Sequence, residues 1–320
     1  MNSEKWHSEN ENCNNGGQIR QFYAGKKILL TGCSGFFGTG IVEKLLRTCL
    51  EIDKIYLMIR TKKNMTIEER MEKYFQCPIF DTLHKKNPNF MVKVQPIYGD
   101  LQKANLGFSS EDCKLLTENV DIVIHNAADV SFTTRISSIL KTNVLGTKYM
   151  LDLAAKCSRL KAFVYVSTAY SHCYNKRIGE KFYSPPCDLN MVEDVIRSDE
   201  STLDGLSEVT LRDILGEWPN AYTFSKSIAE SLVENFSRKT SIPCSVFRPS
   251  IVISPYDEPV SGWVANVNGP AAPIIMINLG VAHVIPIGMA NALDIVPLDL
   301  AVNCLLATIW DLTVHKIQSG

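Results

Sequence analysis

The chain has 320 residues, 45% of them hydrophobic and 21% charged, with a formal net charge of -1 at pH 7. That length carries a full core and one large domain or two, and so balanced a charge excludes the basic footprint of a nucleic-acid-binding protein. Ten cysteines without a CxxC pair read as reduced thiols of an intracellular protein, with no spacing that suits a metal.

The N-terminus, "MNSEKWHSENENCNNGGQIR", is polar and Asn-rich. It lacks the apolar core of a signal peptide, so residues 1–22 are read as a disordered polar tail. The first apolar run, "KKILLTG" (26–32), is followed by a glycine turn and by "FGTGIVEKLLRTCL", where Ile41, Val42, Leu45, Leu46 and Cys49 share one helical stripe. Five more near-continuous apolar runs follow at 54–60, 92–100, 120–128, 162–170 and 244–250. Such runs are expected of parallel strands covered on both faces. Helical patterns recur at 141–157 and 225–238. The alternation predicts an α/β, doubly wound parallel sheet of Rossmann-like type over residues 23–254. After Pro249 the chain turns loop-like and then apolar, and 255–320 is expected to form a small substrate-side subdomain. Its stretch "AAPIIMINLGVAHVIPIGMANAL" is broken by Pro273, Asn278, His283 and Pro286, so no membrane span is expected.

The glycines at Gly32, Gly35 and Gly38 are spaced GxxGxxG, not GxGxxG. A turn without Cβ atoms lets a pyrophosphate approach, and the helix that follows offers N–H groups and a partial positive charge. Ser34, Phe36 and Phe37 complete that turn; a tight turn with no ligand would read the same. The second run ends in Arg60, followed by Lys62 and Lys63. A carboxylate there would hold the ribose of NADH, whereas a guanidinium binds the extra phosphate of NADPH. The expectation is therefore NADPH, against the alternative of a solvated basic loop. Asp100 is placed to accept from an adenine amino group, with Leu101 packing on the ring. Ala127 and Ala128 let the backbone pass close to a cofactor, and Pro249 joins the same site. Asn126 and Asn143 are candidates for a water relay or for tying helix to strand.

In "AYTFSKSIAE" Tyr222 and Lys226 stand four apart on one helix face. A phenol has a pKa of about 10 in water, and a neighbouring ammonium is expected to lower it. Tyr222 then exchanges a proton with a carbonyl or alkoxide oxygen while hydride moves at carbon. The strand end "VYVSTAY" offers Thr168, or failing it Ser167, to hold the same oxygen.

Taken in order, "TGxxGFxG", "YGDL", "HNAA", "NVLGT", "VSTAY", "YxxxK" and "RPSIV" resemble the extended short-chain dehydrogenase/reductases. More narrowly, "GFFGTGIVEKLLR", "TNVLGTKYMLDLA", "PNAYTFSKSIAE" and "FRPSIVISPYDEPVSGWVANVNGP" are similar to the reductase domain of alcohol-forming fatty acyl-CoA reductases of animal and insect type, over about residues 24–312. The resemblance implies NADPH-dependent reduction of a long-chain acyl-CoA, through a hemithioacetal and an aldehyde, to a primary fatty alcohol. It assigns catalysis to Tyr222, Lys226 and Thr168 and the cofactor to Gly32, Gly35, Gly38 and Arg60, and leaves Cys33 and Cys173 as packing residues. It also implies a cytosol-facing location at the endoplasmic reticulum or peroxisome membrane. Members of the family commonly continue into a helical C-terminal domain and membrane-associating segments, whereas this sequence stops at Gly320 and is expected to be partial. The basic residues common after "GP" are missing, leaving His283. Lys176, Arg177 and Lys181, in the long insertion between Thr168 and Tyr222, are an alternative patch for CoA or a solvated loop. Reduction of a sterol, ketone or aldehyde without a thioester step fits the same motifs, as does an NADPH-binding module without turnover.

Overall fold

A computed structural model describes residues 17–61, 65–265, 269, 271–284, 288 and 292–314. Strands β1 (Lys27–Thr31), β2 (Lys54–Ile59), β3 (Val94–Tyr98), β4 (Ile122–His125), β5 (Ala162–Val166) and β6 (Cys244–Phe247) form one parallel sheet in the order β3-β2-β1-β4-β5-β6. Each falls inside one of the six apolar runs. A short parallel pair, β7 (Ile251–Ile253) and β8 (Ile295–Pro297), stands apart. The helices are α1 (Gln18–Tyr23), α2 (Phe36–Thr48), α3 (Ile67–Phe75), α4 (Asp81–Lys86), α5 (Ser110–Asn119), α6 (Ile136–Leu140), α7 (Gly146–Ala154), α8 (Leu189–Glu200), α9 (Glu208–Leu215), α10 (Ala221–Lys239), α11 (Ala271–Asn278) and α12 (Leu298–Val314).

The continuous apolar runs have a simple cause. Ile28, Leu30, Ile55, Leu57, Ile122, Ile124 and Val164 point to one face, where α2, α3, α4 and α12 cover them. Leu29, Tyr56, Val123, Phe163 and Tyr165 point to the other, against α5, α7 and α10. With both faces buried, successive strand positions are mostly apolar instead of alternating with polar ones. Each aliphatic side chain so buried contributes about 1.5–3 kcal/mol. The inserted helix α8 packs into one cluster with α6 and α10 through Val192, Val195, Ile196, Ile136, Phe224 and Ile228, and α9 rests against it through Leu211, Ile214 and Leu215. Strand order reverses between β1 and β4, which opens a cleft at the carboxyl ends of the strands.

One sequence-based boundary is corrected. Residues 18–22, assigned to the disordered tail, belong to α1, which docks through the fully buried Tyr23; its hydroxyl donates to the Leu306 carbonyl at 3.0 Å. Residues 1–16 lie outside the described residues. The span 255–320, expected as a substrate-side subdomain that is no independent fold, contributes α12 to the main core through Leu298, Val302, Leu305, Ile309 and Leu312. An apolar stripe tells that a helix is buried, not against which layer. The helix read at 141–157 starts earlier, at Ile136, and contains one π-helical turn at Lys141–Leu145 between α6 and α7. Among the described residues no helix is long and apolar enough to cross a membrane, and no cluster of His, Cys, Asp and Glu could hold a metal.

Candidate active site

The glycine turn is shaped by contact with β4. Gly32 has φ +69, and a Cβ there would stand 2.7 Å from the Ala127 backbone, so no other residue fits. A Cβ on Gly38 would meet the Gly32 carbonyl oxygen at 2.1 Å, whereas one on Gly35 would have 3.4 Å to the same atom. Gly38 therefore serves helix–turn packing. Gly35 is the N-cap of α2 and has no side chain to cap it, which leaves first-turn N–H groups free for a phosphate.

Beneath the turn, hydrogen bonds fix every proton. Thr31 Oγ1 accepts from the backbone N–H of Asn126 at 3.1 Å and of Ala127 at 3.0 Å. It must therefore donate to His125 Nδ1, 2.8 Å away. Thr147 donates to the Asn143 carbonyl at 2.6 Å, so its oxygen accepts from His125 Nε2 at 3.1 Å. Burial, helped by the charge of Lys226, lowers the His125 pKa to about 3 and keeps the ring neutral. Asn126 Nδ2 donates to the Gly32 carbonyl at 3.1 Å and locks the turn onto β4.

A cleft of about 520 Å³ runs over this floor. Of the residues singled out in the sequence, Gly32, Ser34, Gly35, Phe36, Phe37, Arg60, Asp100, Leu101, Asn126, Ala127, Ala128, Thr168, Tyr222, Lys226 and Pro249 line it together. Gly38 and Asn143 do not. Asn143, on the π-helical turn, is 1% exposed. It accepts from the Asp129 N–H at 2.8 Å and donates to the Asp129 carbonyl and to Ser225 Oγ, both at 2.9 Å. Ser225 in turn donates to the Tyr222 carbonyl at 2.7 Å. Asn143 thus ties strand, helix and catalytic turn together, the second of the two roles expected of it, and it does not line the cofactor cleft. Lys62 and Lys63 lie outside the described residues. Lys176, Arg177, Lys181 and His283 are exposed and do not line the cleft.

Sequence reasoning missed Arg70. It lines the cleft from α3, donates through Nη1 to the Arg60 carbonyl and reaches Ser34 Oγ at 3.4 Å with Nη2. The available signal was the capping box at the start of α3. Glu69 N–H donates to Thr66 Oγ1 at 3.1 Å and Thr66 N–H to Glu69 Oε2 at 2.8 Å. That fixes where α3 begins and hence which residues fall on its first turns.

At the other end, α10 starts at Asn220, whose side chain accepts from Thr223 N–H at 2.9 Å. Tyr222 and Lys226 follow on one face. Thr168 and Tyr222 both line the cleft, and the Thr168 hydroxyl acts to lower the pKa of the Tyr222 phenol. Ser167 is not available for that part, because its hydroxyl donates to Glu230 Oε1 at 2.5 Å. Glu230 is 2% exposed and also accepts from His172 Nε2 at 2.9 Å and from Arg248 at 3.0 and 2.6 Å. Burial alone would raise its carboxyl, but these hydrogen bonds outweigh it and hold the pKa at about 2. Arg248 also donates to the carbonyls of Gly179 and Lys181, at 3.1 and 3.0 Å, and pins the inserted segment to α10.

The expected relation between Tyr222 and Lys226 is corrected in one respect. Burial pushes the phenol up to about 12, against a smaller lowering by Thr168. Lys226 does not offset it, since its Nζ donates to the Val166 carbonyl at 2.7 Å and lies 4.6 Å from the centre of the Tyr165 ring. Burial lowers Lys226 to about 7, and Glu230 acts to raise it. So Tyr222 stands as a protonated acid, which suits donation to a developing alkoxide. Cys33 is buried and pushed up to about 12 by burial, which makes it inert.

A family model described as male sterility protein matches residues 30–305. Fatty acyl-CoA reductase wat of Drosophila melanogaster is 39% identical over 94% of this chain and 57% of its own length. Human fatty acyl-CoA reductase 1 is 35% identical over 93% and 57%. The chain thus spans little more than half of these curated relatives. Among solved structures, the terminal R domain of the myxalamid PKS-NRPS pathway has a TM-score of 0.61 at 26% identity, covering 90% of this chain and 63% of that one. The reductase domain of a non-ribosomal peptide synthetase from Mycobacterium tuberculosis has a TM-score of 0.61 at 20% identity, covering 91% and 64%, and shares the fold.

Proposed function

This chain belongs to the male sterility protein family, and from that premise we propose that it is an NADPH-dependent reductase of long-chain fatty acyl-CoA, forming a primary fatty alcohol through the aldehyde. The observation that carries the reading is one cleft lined together by Thr168, Tyr222 and Lys226 and by the glycine turn of Gly32 and Gly35. The residues fit a dinucleotide: Gly32 leaves a cradle that a Cβ would fill, and Arg60 and Arg70 line the cleft with Ser34, which Arg70 reaches, where a ribose phosphate would lie.

When bound, the nicotinamide supplies hydride to the carbonyl carbon. Thr168 and Tyr222 orient the carbonyl oxygen, and Tyr222 gives it a proton as charge develops. The hemithioacetal so formed collapses, losing CoA as the thiol and leaving the aldehyde. With a second NADPH as the hydride source, Tyr222 would give a second proton to the aldehyde oxygen and so yield the alcohol. Lys226, one helical turn on, carries positive charge beneath this oxygen site and is a donor for a ribose hydroxyl.

The test is incubation with NADPH and palmitoyl-CoA, with thiol release followed by a colour reagent and products by chromatography. Free CoA with hexadecanol supports the reading. Reduction of free aldehydes without any release of thiol from the thioester would replace it with a simple carbonyl reductase.

A further inference from the structure

The loop between β4 and α6 presents two apolar side chains to solvent beside the reaction end. Val130 lines the cleft and is 63% exposed, and Phe132 is 74% exposed. The Phe132 ring meets the Tyr222 ring edge-on, with centroids 6.5 Å apart and planes at 67°.

The loop is not loose. Asn143 holds Asp129 by both backbone groups. Asp129 Oδ1 accepts from Ser131 N–H at 2.9 Å, and Ser131 Oγ accepts from the N–H groups of Thr133 and Thr134, each at 3.1 Å. At the far end Arg135 donates to the buried Asp199 carboxylate at 3.2 Å and to the Thr202 carbonyl at 3.0 Å. A loop held at both ends that still exposes large apolar groups leaves that surface uncovered for a ligand.

We propose that Val130 and Phe132 form the seat of the substrate's alkyl chain, gripping the carbons next to the carbonyl that Tyr222 protonates. This rests on the acyl-CoA reading above. The pantetheine arm of CoA is the poorer occupant, because its amides need partners. Asp129 Oδ1 and the Ser131 and Thr133 hydroxyls are already engaged within the loop. A methylene chain asks for none, and covering one phenyl ring with it is worth roughly ten-fold or more in affinity.

The test uses CoA thioethers, which have no carbonyl to reduce, so that binding is read whether or not the protein turns acyl-CoA over. S-hexadecyl-CoA and S-methyl-CoA are titrated against the wild type, Phe132→Ala and Phe132→Leu, all loaded with NADPH. Expected is a roughly ten-fold weaker hexadecyl complex in Phe132→Ala, an unchanged methyl complex and NADPH affinity, and recovery in Phe132→Leu. With palmitoyl-CoA as substrate, Phe132→Ala should raise KM more than it lowers kcat. Equal effects on the two thioethers, or none on either, overturn the seat. Chain-length-dependent binding lost in Phe132→Ala, in a protein that releases no thiol from palmitoyl-CoA, upholds the seat and overturns the reductase reading instead.

Discussion

At the nucleotide end of the cleft the shape is set by backbone against backbone. Gly32 rests on Ala127, Gly38 on Gly32, and the turn is closed by one asparagine. At the reaction end it is set by buried polar side chains. Glu230 gathers Ser167, His172 and Arg248, and Asn143 reaches Tyr222 through Ser225. A steric cradle holds a ligand of fixed shape and tolerates almost no substitution. A network of hydrogen bonds instead positions the side chains around Tyr222 and Lys226, and it can be altered in steps.

Substitutions at the two ends should therefore fail differently. Gly38→Ala and Gly32→Ala should have the largest effect, abolishing NADPH binding in a fluorescence titration and destabilising the fold by several kcal/mol in thermal melts. Gly35→Ala, with room for its Cβ, should melt near the wild type; an equal loss would mean that the turn is not sterically set. At the reaction end, Tyr222→Phe should keep NADPH affinity and lose about 10³-fold in kcat. Thr168→Ala should lose about 10²-fold, and Ser167→Ala clearly less, because Ser167 serves Glu230. A larger loss from Ser167→Ala would exchange their roles.

Arg60→Ala and Arg70→Ala should each weaken NADPH roughly ten-fold and NADH little, read as the ratio of the two dissociation constants. Glu230→Gln should have the smallest effect at neutral pH but the most diagnostic one. Lys226, lowered to about 7 by burial and supported by Glu230, is cationic below that pH, so activity should fall as pH rises through it. Removing the carboxylate charge makes the ammonium less stable, and the basic limb should move down by about one pH unit. A loss of rate by one factor at every pH would reduce Glu230 to a brace. The same sign rule governs stability: because the Glu230 carboxyl is depressed to about 2, its contribution is present above the ordinary carboxylate range. It is lost as pH falls from about 4 toward 2.

Much of the site was legible because its signals are local. The six strands followed from apolar runs, the turn from glycines within seven positions, and Tyr222 and Lys226 from one helical turn. Arg70 was hidden because a lone arginine on an amphipathic helix reads as a solvated face. Ser167 and Thr168 could not be separated by order alone, since they are adjacent just past the end of β5 and only the position of Glu230 decides which hydroxyl is taken.

What the amino-acid sequence determined by itself was therefore periodic or short-range: the alternating α/β order, the parallel sheet, the cradle and the Tyr–Lys pair. Only the tertiary structure decided that α1 closes on Leu306, 283 residues away, and that α12 completes the main core. It also decided that Ser167 belongs to a carboxylate 63 residues on. The physical reason is the same in each case. Dihedral preference and side-chain period act within a few residues, whereas buried polar groups are paired by whichever partners packing brings near, at any separation along the chain.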